Sequence, residues 1–219
     1  SNRMKVVYDV NCHRQSLFKG HNLYGLDTNL NYIKMNSEEK TQHEITVNLG
    51  EANFKAMAFA IPILFLFGLP FFMIWGKYFS NVAFFTTIYS IYSVPVLIGG
   101  IIAHELIHGI VWSFYAKKGF KSISFGINWK WLTPYCHCAE PLNFYEYRIG
   151  IIMPAILLGF IPFLIAILTG SMGMFIFGLF FTLAAGGDFL MMFMLRKVNK
   201  YDIVQDHPSK IGCIVFGSD

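Results

Sequence analysis

The chain has 219 residues, of which 55% are hydrophobic and only 14% are charged, and phenylalanine alone accounts for 23. This composition is not that of a soluble globular domain, and it predicts a membrane protein in contact with the lipid bilayer. The net charge of +4 is modest. It lacks the strong basic excess of nucleic-acid-binding proteins, so we expect no nucleic-acid partner.

The N-terminal 53 residues are polar and mixed, and we interpret them as a cytoplasmic segment. Short strands are predicted at residues 32–35 and 45–49. Residues 56–76 then give 21 consecutive positions without a charged side chain. A helix of about 20 apolar residues can cross a bilayer, so this run is the first predicted transmembrane span.

The second apolar run, residues 80–116, is too long for one straight crossing. Its 37 residues would extend about 55 Å as a helix, whereas the hydrocarbon core of a bilayer is about 30 Å thick. Pro95 and the pair Gly99-Gly100 are candidate break points. We therefore interpret the run as an interfacial or external stretch followed by a spanning helix over residues 94–116.

Residues 117–148 form a substantial loop that predicts a β-hairpin. Apolar residues alternate strictly with polar or small ones over residues 123–131, which is the period of a strand. A break follows at residues 133–134, and residues 135–138 are predicted to return as a second strand.

Two further apolar runs, residues 149–169 and 174–195, are the third and fourth predicted spans, and residues 196–219 follow as a cytoplasmic tail. The predicted fold class is an α-helical multi-pass membrane protein with about four transmembrane helices, a small cytoplasmic β-hairpin and an N-terminal segment. Residues 54–195 form its predicted membrane core.

The distribution of Lys and Arg predicts the orientation. Sixteen of these seventeen side chains lie in the N-terminal segment, at Lys55 directly after it, in the loop over residues 117–148 and in the C-terminal tail, and Lys77 alone lies on the other side. Cytoplasmic loops carry the excess of Lys and Arg, so both termini are predicted to be cytoplasmic in a cell membrane.

The most informative motif is His104-Glu105-Leu106-Ile107-His108, inside the second predicted span. On a helix, residues four apart lie on one face, so the two imidazoles can share a metal ion. The glutamate between them can then act as general base on water activated by the metal. An isolated histidine in an apolar helix is more often a hydrogen-bonded core residue. Two imidazoles and a carboxylate clustered at membrane depth are costly unless they act together.

A catalytic zinc site requires a third protein ligand, and Asp188 is the predicted one. Apart from Glu105, it is the one acidic residue within the apolar runs. His108 precedes the cationic boundary at Lys117 by nine residues. Asp188 precedes Arg196 by eight, so both groups lie about 12–14 Å from that boundary. A structural hydrogen bond or a transporter ion site are the alternatives for Asp188. The alternative third ligands are Glu140, Glu146 and His137.

The stretch His-Glu-Leu-Ile-His-Gly and the later Gly186-Gly187-Asp188 resemble the intramembrane zinc metalloproteases of the site-2 protease type. More closely, the chain resembles a family of short bacterial membrane proteins known as putative zincin peptidases, over about residues 45–216. The likeness includes residues 135–137, Pro154 and the tail motif at 206–208. It implies a zinc cofactor, with His104, His108 and Asp188 as ligands and Glu105 as the catalytic residue. Site-2 proteases usually carry Asp-Gly at the third ligand, whereas Phe189 follows here, which indicates a divergent branch.

These observations predict a zinc-dependent, membrane-embedded endopeptidase whose partner is a membrane protein or peptide substrate. The second hypothesis is a non-catalytic membrane metal-binding protein, either a transporter or a sensor. The sequence has no repeated halves of the kind that transporters show. A third hypothesis, an assembly protein with a degenerate site, is disfavoured because all the catalytic residue types are present. The sequence leaves the substrate and the oligomeric state open.

The hairpin itself has two possible roles. Its edge could hold an extended substrate through backbone hydrogen bonds, or its aromatic face could pack on the membrane surface. The sequence Cys136-His137-Cys138 raises the question of a second metal site. Alternation along the strand places the imidazole on the face opposite the thiols, so we expect no second site.

Overall fold

The computed structural model describes residues 41–78, 92–129 and 132–217. Within these residues the chain is mostly helical and carries two small antiparallel sheets. The strand predicted at residues 32–35 lies outside the described residues. The helical content agrees with the predicted α-helical fold class.

The first described elements are a strand and a short helix. Strand β1 covers Thr41–Val47, and helix α1 covers Leu49–Met57. A strand is present as predicted, but it ends before residue 49. The cause is Asn48, because its side-chain oxygen accepts a hydrogen bond from the Glu51 amide at 2.9 Å and caps the helix.

Three of the four predicted spans lie in long apolar helical segments. Helix α2, Ala60–Trp75, follows α1 within the segment Gly50–Tyr78, and the second span is helix α3, Ser93–Tyr115. The third is the segment Phe144–Thr169. By length and composition, all three can cross a membrane.

The third segment changes its helical pitch in the middle. It consists of α4, a π-helical turn and α5, which cover Phe144–Pro154, Ala155–Phe160 and Ile161–Thr169. Pro162 has no N–H to donate to the preceding turn, which favours such a bulge. The bulge packs closely on the next helix, because a Cβ added to Gly178 would lie 2.7 Å from the carbonyl oxygen of Gly159.

The fourth predicted span is broken. Helix α6, Met172–Ala184, and helix α7, which begins at Gly186 and ends at Met194, meet with a bend of 42°. With the bent pair counted as one span, the described residues hold up to four helices that could cross a membrane. The break places Asp188 in the first turn of α7.

The predicted hairpin is confirmed, but the break predicted at residues 133–134 is wrong, because both residues belong to its second strand. Strand β2, Ile123–Asn128, pairs antiparallel with strand β3, Thr133–Cys138. The hairpin packs on α3 at Gly109, where an added Cβ would lie 2.6 Å from the Phe125 ring. The strands therefore lie beside the turn of α3 that carries the two histidines.

A second sheet is present, and β1 is its one strand that the sequence predicted among the described residues. Its strand order is β1-β6-β5-β4 with antiparallel pairing throughout. The added strands are β4, β5 and β6, which cover Leu142–Asn143, Ile203–Asp206 and Ile211–Gly217. Two strands thus lie in the C-terminal segment, for which none was predicted.

This sheet covers the end of α3 that follows the histidines. Val204 of β5 and Cys213 of β6 are fully buried, and they share one core cluster with Trp112 of α3 and Tyr147 of α4. The core therefore connects the C-terminal strands with the helices that carry the candidate site.

Candidate metal centre

The two histidines of α3 lie on one buried face of the helix. His104 and His108 are only 9% and 5% exposed, and their Nε2 atoms lie 3.3 Å apart. Their four-residue spacing on a helix produces this arrangement. Two imidazole nitrogens therefore point to a common position.

Asp188 joins them from the first turn of α7. Its Oδ2 atom lies 3.1 Å from His104 Nε2, and its Oδ1 atom lies 3.4 Å from His108 Nε2. The three possible ligand atoms all lie within 4.8 Å of one another. The residues selected from motif and depth in the sequence are thus brought together by the fold, and the cluster could hold a metal ion.

The hydrogen bonds around the cluster fit a cation. His108 Nδ1 lies 2.8 Å from the carbonyl oxygen of Gly150. A carbonyl only accepts, so Nδ1 carries the hydrogen, and in the neutral form of the ring the lone pair of Nε2 faces Asp188. Asp188 Oδ2 is buried and has no hydrogen-bond partner among the described residues. Two imidazoles and one carboxylate are also a ligand set that zinc enzymes use.

The ring of His108 is held from its face as well. Trp112, one turn further along α3, stacks on it with ring centroids 5.3 Å apart and planes 18° apart. The Trp112 indole N–H donates to the Tyr147 carbonyl at 3.1 Å. Such partners orient a metal-binding imidazole before any metal arrives. His104 is less constrained, since its buried Nδ1 has no hydrogen-bond partner in the described part of the chain.

Glu105 lies beside the cluster without belonging to it. The residue is half-buried on α3, and its carboxylate interacts electrostatically with both histidines. On its other side, it interacts with the backbone amide of Cys136 in β3. The Glu105 carboxylate is therefore not one of the possible metal ligands, and it is available to exchange protons with a water molecule at the metal.

The alternative third ligands occupy other positions. Glu140 accepts hydrogen bonds from the Ser122 hydroxyl and from the backbone amide of Lys117, both at 2.7 Å, and these bonds lower the pKa of its carboxyl. Glu146 accepts from the Asn143 amide at 3.0 Å and completes the capping box of α4. Neither belongs to the cluster at Asp188.

The Cys136-His137-Cys138 stretch forms no metal-binding group with three ligands among the described residues. Cys138 is buried, its thiol lies 3.5 Å from the Glu140 carbonyl as a donor, and burial raises its pKa to about 11. A protonated thiol is a poor metal ligand. The His137 Nδ1 atom instead lies 3.7 Å from Oδ2 of Asp206.

Asp206, Tyr147 and Trp112 are the residues of this region that the sequence analysis did not assign. The Asp206 carboxylate is 9% exposed and accepts hydrogen bonds from the Tyr147 hydroxyl and from the Cys138 amide. The tail motif at residues 206–208 was part of the family resemblance, but the resemblance implied no role for its residues. The i+4 spacing of Trp112 from His108 was the available signal for their contact.

Comparison with known proteins gives one match. The model of a family described as "Putative zincin peptidase" matches residues 97–203, a range that contains His104, Glu105, His108 and Asp188. The match supports the zincin family and, with it, a zinc metallopeptidase. No curated protein and no solved structure matches the chain.

Proposed function

We propose that the protein is a zinc-dependent endopeptidase that cleaves peptide bonds at or within the membrane. The observation that carries this proposal is that the possible ligand atoms of His104, His108 and Asp188 lie within 4.8 Å of one another. Glu105 follows His104 directly in the chain. The family match independently supports a metallopeptidase. The intramembrane setting is inferred from the apolar helices that surround the cluster.

In this proposal the two imidazoles and the Asp188 carboxylate are the protein ligands. Asp188 supplies a negative charge to a ligand set that is otherwise neutral, which favours a dication in an apolar setting. Zinc held there would act as a Lewis acid that polarises the scissile carbonyl and lowers the pKa of water.

Glu105 is the proposed acid–base group. It removes a proton from the attacking water, so that the oxygen adds to the carbonyl carbon of the substrate. When the C–N bond breaks, the same carboxyl returns the proton to the leaving amine nitrogen. The Cys136 amide faces Glu105 and can hydrogen-bond with its carboxylate.

Strand β2 is the proposed platform for the substrate. A protease needs its substrate extended, and an unpaired strand edge can hold an extended peptide through backbone hydrogen bonds. Among the described residues, β2 pairs with β3 alone. Its side chains contact α3 at Gly109, next to His108, so a peptide along β2 would lie close to the metal ligands.

The proposed orientation follows from the charges. Because sixteen of seventeen Lys and Arg side chains flank the spans on one side, we place both termini and the hairpin in the cytoplasm. The metal cluster would then lie about 12–14 Å below the cytoplasmic boundary. At that depth it could reach the membrane-embedded segments of other proteins.

The proposal is tested with the full chain purified in detergent and assayed on two probes, fluorescently labelled casein and a single-span model peptide. We expect one zinc per chain in the wild type. His108→Ala should lose most of the zinc, because it removes a ligand. Glu105→Gln should keep the zinc and lose hydrolysis by about a hundredfold or more, because it removes the proton carrier alone.

Two results would contradict the proposal. Equal loss of zinc in Glu105→Gln and His108→Ala would mean that the roles are wrongly assigned. A wild-type protein that binds one zinc but cleaves neither probe would favour a non-catalytic metal-binding protein instead.

A further inference from the structure

We infer that Asp206 is a positioning residue for the metal centre, acting on His108 through Tyr147 and Trp112 and on Glu105 through strand β3. This inference rests on the proposed function. Asp206 lies at the end of β5, and the matched family region ends before it, at residue 203.

The first connection is a column of three rings. The rings of His108 and Trp112 lie 5.3 Å apart with an angle of 18°, and those of Trp112 and Tyr147 lie 5.5 Å apart with an angle of 13°. The column ends where the Tyr147 hydroxyl donates to Oδ1 of Asp206. Because stacked rings in a close-packed core cannot move independently, fixing the tyrosine also restricts the imidazole.

The backbone of α4 strengthens this connection. Tyr147 and Gly150 belong to the same helix, and the Gly150 carbonyl accepts the hydrogen bond from His108 Nδ1. A Cβ on Gly150 would lie 2.0 Å from Trp112 Nε1, so α4 packs directly on the indole. The anchor at Tyr147 thus also fixes the carbonyl that selects the tautomer of His108.

The second connection runs to the hairpin. Oδ2 of Asp206 accepts a hydrogen bond from the Cys138 amide at 2.8 Å. Cys136, two residues earlier on β3, directs its own amide toward Glu105. A shift of β3 away from Asp206 would therefore move the group that faces the proposed acid–base residue.

The hydrogen-bond partners of Asp206 explain why a carboxylate occupies a buried position. Val204, two residues earlier on the same strand, is fully buried, so an apolar side chain can occupy this surface of the sheet. A carboxylate there costs desolvation and requires partners on its oxygens. The two oxygens accept from α4 and from β3, and one side chain thereby connects the elements that flank His108 and Glu105.

The test uses zinc and cobalt as probes on the full chain. Zinc affinity is measured by competition with a chromophoric chelator, the ligand geometry by the visible spectrum of the Co²⁺-loaded protein, and folding by the thermal midpoint. Asp206→Ala removes both hydrogen bonds. Tyr147→Phe removes only the hydroxyl and keeps the stacked ring. Val204→Ala is the matched control, because it opens space in the same core cluster and keeps both hydrogen bonds of Asp206.

We expect Asp206→Ala to weaken zinc binding by about tenfold, the lower end of what partners of metal ligands contribute, and to alter the Co²⁺ spectrum. Tyr147→Phe should weaken zinc binding less, in the same direction. Asp206→Asn should stay within about twofold of wild type, because its oxygen can accept from Cys138 while its NH₂ donates to the Tyr147 hydroxyl. Val204→Ala should lower the thermal midpoint and leave zinc affinity unchanged.

A folded Asp206→Ala variant with wild-type zinc affinity and spectrum overturns the inference. So does equal weakening in Asp206→Ala and Val204→Ala, since that would reduce the residue to a general structural role. If Asp206→Ala does not fold, a wild-type zinc affinity and Co²⁺ spectrum in Tyr147→Phe overturn it. Failure of the proposed function is distinct, because it shows in the wild type itself: the wild type would bind no zinc, would bind it no better than His108→Ala does, or would bind it and cleave neither probe.

Discussion

His108 and Gly150 are joined by a hydrogen bond of 2.8 Å that links the imidazole Nδ1 with a backbone carbonyl 42 residues later in the chain. The same glycine leaves the space that the indole of Trp112 fills, since an added Cβ would lie 2.0 Å from Trp112 Nε1. The Gly150 carbonyl therefore selects the tautomer of His108, and the missing side chain of Gly150 leaves room for the Trp112 indole that stacks on His108.

Gly150→Ala is expected to weaken both functions of this position. The methyl group forces the indole or the helix to move, which should lower the free energy of unfolding by about 1–3 kcal/mol. Displacement of the carbonyl should weaken zinc binding by about tenfold, as measured by chelator competition. Gly99→Ala on α3 is the control, because a Cβ there meets no atom of the described residues within 4 Å. Wild-type zinc affinity in Gly150→Ala would show that the carbonyl does not orient His108.

The apolar helices and the hairpin could be predicted from the sequence because each depends on a local period. Strict alternation over residues 123–131 led to the hairpin. The grouping of His104 with His108 follows from helical spacing alone. The approach of Asp188 followed from its depth relative to the cationic boundary.

The remaining features depend on contacts between distant segments. The His108 partner is a backbone carbonyl, which every residue carries, so composition gives no sign of it. Asp206 and Tyr147 are 59 residues apart in the chain. The short strands β5 and β6 lie in the C-terminal segment, which was interpreted only as a cytoplasmic tail. The break of the last apolar run at Ala185 could not be located from hydropathy either, because apolar residues predominate on both sides of it.

Asp188→Asn should reduce zinc affinity by about one to several orders of magnitude, because it keeps the size of the side chain and removes the charge that balances the dication. Asp188→Glu should retain part of the metal. Elemental analysis and chelator competition on the purified chain measure both. Glu140→Gln serves as the control, since Glu140 accepts from Ser122 and from backbone amides away from the cluster. A greater loss of zinc in Glu140→Gln than in Asp188→Asn would refute the assignment of the third ligand.

Membrane orientation is tested by cysteine labelling at Ser124 in β2 and at Ser171, which caps α6. From the charge asymmetry, Ser124→Cys should react from the cytoplasmic side and Ser171→Cys from the other. Burial raises the pKa of Cys138 to about 11 and that of Cys213 to about 12, so at neutral pH these native thiols should react slowly. The variants are made with Cys12 replaced by serine, and the same protein without the added cysteine gives the background. Labelling of both sites from one side would mean that the segment Phe144–Thr169, which lies between them, does not cross the membrane.

The last prediction concerns Ile127 of β2, a strand that pairs with β3 and with no other strand among the described residues. The Cys138 amide donates to Asp206, so the pair Ile123–Cys138 exchanges no N–H bonds across the hairpin. By alternation, the same holds for Ile127 and its partner Pro134, which has no N–H to offer. The N–H of Ile127 therefore points away from β3, toward the edge where the substrate is proposed to bind.

Ile127→Pro removes this outward N–H and is tolerated at a strand edge, whereas Ile127→Ala keeps it and shortens the side chain. The loss of one backbone hydrogen bond to an extended peptide should lower kcat/KM by about threefold to tenfold, mainly through a higher KM. Zinc content and the thermal midpoint should stay at wild-type values, because β3 and the metal ligands are untouched. Cleavage of the labelled casein by both variants gives the comparison. Equal kcat/KM in Ile127→Pro and Ile127→Ala would show that the peptide does not pair with this edge.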